Sequence, residues 1–122
     1  MVILKKTPRG RQVIGGCVYR PFYQELLAEI VFLAIDSQHQ VKGFGTRLMN
    51  KLKSELREKG IRFFLTYADN MATEYFQKQG FSSKLLLPKS RYRRFIKDYE
   101  NGTLMECYLD PNIDFNNIST VL

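Results

Sequence analysis

Ten consecutive residues, Leu26 to Ile35, are apolar with a single exception, Glu29. So continuous an apolar run reads as a strand covered on both faces, which places it at the centre of a sheet. It is about half of what a bilayer crossing needs, and it holds a charge, so it is no membrane span. The flanking segments alternate strand and helix patterns in the rough order β-β-β-α-β-α-β-α-β. That order predicts a mixed α/β sheet, and 122 residues fit one domain.

Val2–Leu4 and Arg11–Tyr19 read as a hairpin turned at Thr7-Pro8-Arg9-Gly10, with a bulge or a close backbone approach at Gly15-Gly16. Pro21 to Gln24 interrupts the pattern. Phe44, Leu48, Leu52 and Leu56 recur every fourth residue, with Arg47, Lys51, Lys53, Glu55, Arg57 and Glu58 between them. This is an amphipathic helix closed by Gly60. Ile61–Thr66 is a short strand. Asp69 or Asn70 caps a second helix running to Gln79, with Tyr75 and Phe76 facing inward and Gly80 ending it. Phe81–Leu87 reads as a strand, Lys89–Tyr99 as a basic, aromatic helical turn or two, and Thr103–Leu109 as the last strand.

Nineteen Lys and Arg against twelve Asp and Glu give a net charge of +7, which favours an anionic partner. Nucleic acid, a phosphorylated cofactor and a chromatin surface all remain open on charge alone. Cys17 and Cys107 lie far apart, and His39, the single histidine, sits in a polar loop. No metal site, disulfide framework or catalytic triad is expected from such a set. Both cysteines read as core residues. No signal peptide opens the sequence, and a soluble intracellular protein is expected.

Two features carry chemistry. Gln40-Val41-Lys42-Gly43-Phe44-Gly45-Thr46 joins the strongest strand to the strongest helix. Free backbone N–H groups at such a junction suit a pyrophosphate, although an ordinary glycine turn has the same spelling. Leu48 stands where a dinucleotide fingerprint needs a small residue, and no P-loop is present. The second feature is Glu29. A carboxylate inside an apolar strand is desolvated, which raises its pKa toward that of a neutral-pH base; marking the strand's exposed mouth or pairing with an arginine are the alternatives. A glutamate base beside a phosphate cradle suits acyl transfer to an amine, since a lysine of pKa about 10.4 must lose a proton before it attacks.

Five blocks then resemble the GCN/PCAF-type histone acetyltransferases of the GNAT superfamily. They are Ala28–Ile35, Gln40–Thr46, Leu65–Asp69, Tyr75–Phe81 and Ile96–Glu100, in the family's order. The resemblance runs from about Gly15 to Asp110 and implies a GNAT-type mixed, splayed central sheet flanked by helices. It implies direct acetyl transfer from acetyl-CoA to a histone-tail lysine in a ternary complex, with Glu29 as general base. The implied cofactor contacts are Leu33, Ala34 and Ile35, then Gln40, Val41, Lys42, Gly43, Phe44, Gly45 and Thr46, then Met71, Ala72, Thr73, Glu74 and Tyr75. No metal is implied.

Leu33 replaces a frequent cysteine of the family, Met71 replaces an aromatic, and Arg91-Tyr92-Arg93-Arg94 is richer in arginine than the family pattern. The family domain also has a strand and one or two helices ahead of the hairpin, and a bromodomain often follows. The resemblance therefore implies one catalytic domain over 1–122 that lacks its N-terminal elements. It further implies nuclear residence, transcription coactivator complexes with adaptor subunits, nucleosomes and histone H-three as a partner. A non-catalytic, acetyl-CoA-binding docking module is the alternative. Direct DNA contact through Lys89, Arg91, Arg93 and Arg94 is disfavoured against a solvated or protein-facing basic surface.

Overall fold

The computed structural model describes residues 2–7, 10–35, 43–97 and 99–115. Five strands lie side by side in sequence order: β1 (Val2–Thr7), β2 (Gly10–Phe22), β3 (Leu27–Ile35), β4 (Phe63–Ala68) and β5 (Thr103–Tyr108). All neighbours are antiparallel except β3 and β4, which run parallel. Helix α1 (Phe44–Glu58) supplies the long connection that a parallel pair needs. Short helices α2 (Thr73–Lys78) and α3 (Lys89–Tyr92) follow β4.

The apolar run is the central strand, as its pattern predicts. It begins at Leu27, because Leu26 holds a left-handed backbone with φ of 59° and ends the short 3-10 turn Tyr23–Glu25. Leu26 still anchors the sheet through its carbonyl, which accepts from the N–H of Arg62 at 2.9 Å and of Phe63 at 3.1 Å.

Two cores flank the sheet. Leu48, Met49, Leu52 and Leu56 of α1 pack with Phe76 of α2 on Ala28, Ile30 and Phe64. On the other face Leu87, Tyr92 and Ile96 cover Leu27 and Leu65. Period-two alternation along β3 and β4 produces this division. Gly60, at φ 91°, closes α1, and Gly80, at φ 90°, follows α2, both in the left-handed region that favours glycine.

Three expectations are corrected. The bulge in the β1–β2 ladder falls at Ile14, which is skipped between Val13 and Gly15, and not at the glycine pair. Phe81–Leu87 forms no strand: it makes one bridge, Ser82 to Glu106, and then turns so that the Glu106 carboxylate accepts from the N–H groups of Leu86 (2.7 Å) and Leu87 (3.0 Å). The helix at Lys89 spans one turn, ending at Tyr92, which agrees with the turn or two expected. Lys53 is buried although it spaces the polar side of α1; its ammonium donates to the Gln79 carbonyl at the end of α2 and lies 5.8 Å from the Phe81 ring centre. Burial pushes its pKa down.

Candidate active site

The site forms where β3 and β4 part company. Their parallel register runs Leu27 to Phe63, Ala28 to Phe64 and Glu29 to Leu65, and stops there. Beyond Glu29 the β4-facing edge of β3 has no ladder partner among the described residues, so its backbone polar groups are free for a ligand. A second irregularity lies in the same stretch. Val18 faces Phe32 and Tyr19 faces Ile30 across the β2–β3 ladder, which leaves Val31 as a bulge. The bulge resets the alternation: Ile30 and Leu33 both pack toward the α1 core, while Val31 and Phe32 stand exposed.

Glu29 shares the sheet face of Leu27 and Leu65 by the same alternation. Its residue is 5% exposed, and its Oε1 is buried without a hydrogen-bond partner. Arg20, the direct cross-strand neighbour, brings Nη2 to 3.4 Å from that oxygen, an ion-pair distance. Desolvation raises the Glu29 pKa, and the Arg20 charge opposes that rise. The result is a carboxylate held above the usual range with an acceptor oxygen waiting for a donor. Sequence reasoning left pairing with an arginine open without finding Arg20. The cross-strand register identifies it once the turn at Tyr23–Leu26 is known.

The glycine loop is placed in part. Gln40, Val41 and Lys42 lie outside the described residues. Gly43 precedes α1 with φ of 77°, a left-handed conformation that favours glycine. The first intrahelical bond runs from the Arg47 N–H to the Gly43 carbonyl, so the N–H groups of Phe44, Gly45 and Thr46 open the helix with no partner inside it. No acidic side chain occupies this first turn. The positive end of α1 therefore suits an anion. The Thr46 hydroxyl accepts from Gln79 Nε2 at 3.1 Å, which ties this end of α1 to the end of α2.

In the third group Asp69 holds the turn ahead of α2, its Oδ1 accepting from the N–H groups of Met71 (3.0 Å) and Ala72 (2.8 Å), while the helix itself starts after Ala72 with no side-chain cap, contrary to the expected Asp69 or Asn70 cap. The Thr73 hydroxyl donates to the Asn70 carbonyl. Met71 is 90% exposed, and Glu74 reaches its helical neighbour Lys78 at 3.4 Å. Ala72 and Tyr75 pack against the α1 core together with Leu33, which the ladder sets opposite Cys17. The Tyr75 hydroxyl is buried with no hydrogen-bond partner, and burial raises its pKa. Ala34 is exposed, and Ile35 continues the ladder opposite Gly15. Leu33, Ala72 and Tyr75 are thus brought together, whereas Met71 and Glu74 face solvent. Among the described residues no cluster of His, Cys, Asp or Glu could hold a metal ion.

Residues 2–81 match the family model described as acetyltransferase (GNAT) family. The chain belongs to this family. Over 115 residues, 93% of the chain, it is 47% identical to histone acetyltransferase GCN5 of Oryza sativa subsp. japonica. The chain spans only 22% to 24% of the length of such curated relatives. The crystal structure of Tetrahymena GCN5 superposes with a TM-score of 0.87 at 47% identity, covering 93% of this chain and 69% of that one. The catalytic domain of Tetrahymena GCN5 in complex with coenzyme A gives a TM-score of 0.69 at 48% identity, covering 86% and 63%. The GNAT architecture accounts for the splayed sheet, in which β3 and β4 part beyond Glu29 and a bulge follows at Val31.

Proposed function

We propose that this chain is the catalytic domain of a histone lysine acetyltransferase, which moves acetyl from acetyl-CoA to a histone-tail lysine by direct attack in a ternary complex. The observation that carries this reading is Glu29, a buried carboxylate with a raised pKa and an unsatisfied oxygen at the fork between β3 and β4. The relatives support it, being named histone acetyltransferases, one of them solved with coenzyme A.

The residues present fit the coenzyme. The unpaired edge of β3 at Leu33, Ala34 and Ile35 suits the amide-bearing arm. The loop Gln40 through Thr46, including the open N–H groups of Phe44, Gly45 and Thr46, suits the pyrophosphate. Met71, Ala72, Thr73, Glu74 and Tyr75 complete the proposed contacts; of these Ala72 and Tyr75 pack beside Leu33, and the Tyr75 hydroxyl, without a partner among the described residues, is a ready donor. When bound, acetyl-CoA supplies the thioester carbonyl that the amine attacks.

The chain's own part begins at Glu29. Its carboxylate accepts the proton of the incoming lysine ammonium, directly or through a water, and so frees the nitrogen lone pair. Backbone N–H groups on the open edge of β3 stabilise charge that develops on the carbonyl oxygen. No covalent enzyme intermediate is required, which agrees with both cysteines being buried and the Cys17 thiol being pushed up to about 11.

Residues 1–122 are read as one GNAT catalytic domain. Histone H-three, adaptor subunits, the nucleosome and nuclear residence as part of a coactivator complex belong to the same proposal. The test is labelled acetyl-CoA with a histone H-three tail peptide, comparing wild type with Glu29→Gln. Turnover is expected to fall by about 10²–10⁴ in the variant, with coenzyme affinity retained. Coenzyme binding without any transfer by the wild type would instead favour a docking module.

A further inference from the structure

Gln79 closes α2, yet both of its polar ends reach across to α1. Glutamine is mostly a surface residue, and this one is buried at 9% exposure. Its side-chain Nε2 donates to the Thr46 hydroxyl at 3.1 Å, and its carbonyl accepts from the Lys53 ammonium. Thr46 and Lys53 lie about two turns apart on one side of α1, with Met49 buried between them. The Lys53 contact and the packing of Phe76 in the α1 core already join the two helices. The bond to Thr46 is not needed for that task.

A hydroxyl has one proton and two lone pairs. With Gln79 Nε2 donating to its oxygen, the Thr46 hydroxyl cannot turn its proton toward Gln79 and must donate on its other side. Threonine in a helix also divides between two rotamers, and the Gln79 bond selects one of them. Thr46 is the third residue of α1, and its own N–H is one of those that open the helix without an intrahelical partner. Amide and hydroxyl thus offer protons at the same first turn, where no acidic side chain competes.

We propose that Gln79 is a positioning residue for the coenzyme, holding the Thr46 hydroxyl as a proton donor to the pyrophosphate at the start of α1. The proposal rests on the coenzyme reading above and adds a residue outside the contacts assigned there. Gln79 acts through Thr46: it fixes the rotamer and keeps the hydroxyl proton for a phosphate oxygen, a charge-assisted bond. The same amide ties α2, which follows Ala72 and carries Tyr75, to the anion-facing end of α1. Two sets of proposed contacts are thereby held in one frame.

The test is a double-mutant cycle in coenzyme A Kd, read by calorimetry, on Gln79→Met, Thr46→Val and the pair. Methionine keeps the length of glutamine without its amide. Each single variant is expected to bind about fivefold to tenfold more weakly, and the pair no more weakly than either. Thr46→Ser, which keeps the hydroxyl, should stay within about twofold of wild type. In acetyl transfer Gln79→Met should raise KM for acetyl-CoA with kcat little changed. It should leave kcat/KM unchanged for S-acetylpantetheine, which has the arm without the pyrophosphate. Gln79→Asn, whose amide reaches about 1.5 Å less far, is expected to show the same loss and replaces the methionine variant if that one does not fold.

Wild-type coenzyme affinity in Gln79→Met or Gln79→Asn overturns the proposal. So do losses that add in the pair, or an equal loss with S-acetylpantetheine, either of which would make Gln79 a plain staple between helices. A wild type that binds no coenzyme A overturns this proposal and the coenzyme reading together. Binding in the expected pattern with no transfer to any peptide supports it and contradicts only the catalytic reading.

Discussion

The proposed chemistry rests on a single carboxylate. Glu29 is buried, and its cation partner among the described residues, Arg20, has a side chain 60% exposed and therefore screened by solvent. Desolvation wins over that pairing, so the pKa rises. Removing the opposing charge with Arg20→Ala is expected to raise it further. The acid limb of the kcat/KM profile then moves to higher pH, and titration of the rate checks this. Stability follows from the same shift. A folded-state pKa above the unfolded value means that Glu29 costs nothing while protonated, and that stability is lost as pH rises through the folded pKa. Glu29→Gln should therefore melt above wild type at neutral pH, and the gap should close as pH falls below the ordinary glutamate range near 4.5. Melting curves across that window give the answer.

Among the elements, β3, α1, β4 and β5 were legible because their evidence is local: apolar continuity, a repeat every fourth residue and glycine at each helix end. What escaped depends on partners distant in sequence. Phe81–Leu87 has a strand's composition, yet the Glu106 side chain meets Leu86 and Leu87 where a ladder partner would stand. Glu106→Ala should leave both amides without that acceptor, costing about 3 kcal/mol and lowering Tm on the order of 10 °C. Calorimetry measures it, and Glu106→Gln, which keeps one carbonyl acceptor, should fall between. Lys53 escaped because a lysine on α1 is counted as solvated, while its ammonium in fact meets the Gln79 carbonyl. Arg20 escaped because its pairing needs the register across a turn. Within the candidate site, the desolvated carboxylate of Glu29 and the glycine start of α1 were readable, whereas the fork at Glu29 and the bulge at Val31 are properties of strand pairing. Gln40, Val41 and Lys42 rest on the resemblance.

At the scale of the whole molecule the sheet separates two tasks. One face buries α1 and α2 and brings the open end of α1 to the gap between β3 and β4. The other carries Glu29 and Arg20. A net charge of +7 suits a phosphorylated coenzyme. The central claim is that Glu29 is the base, and the pH dependence of kcat/KM for wild type and Glu29→Gln tests it most directly. The wild-type rate should climb with pH through an ionisation above the usual carboxylate range. Glu29→Gln should lack that limb and run about 10²–10⁴ slower on the plateau. The same limb persisting in Glu29→Gln, at a rate within about threefold of wild type, would contradict the account.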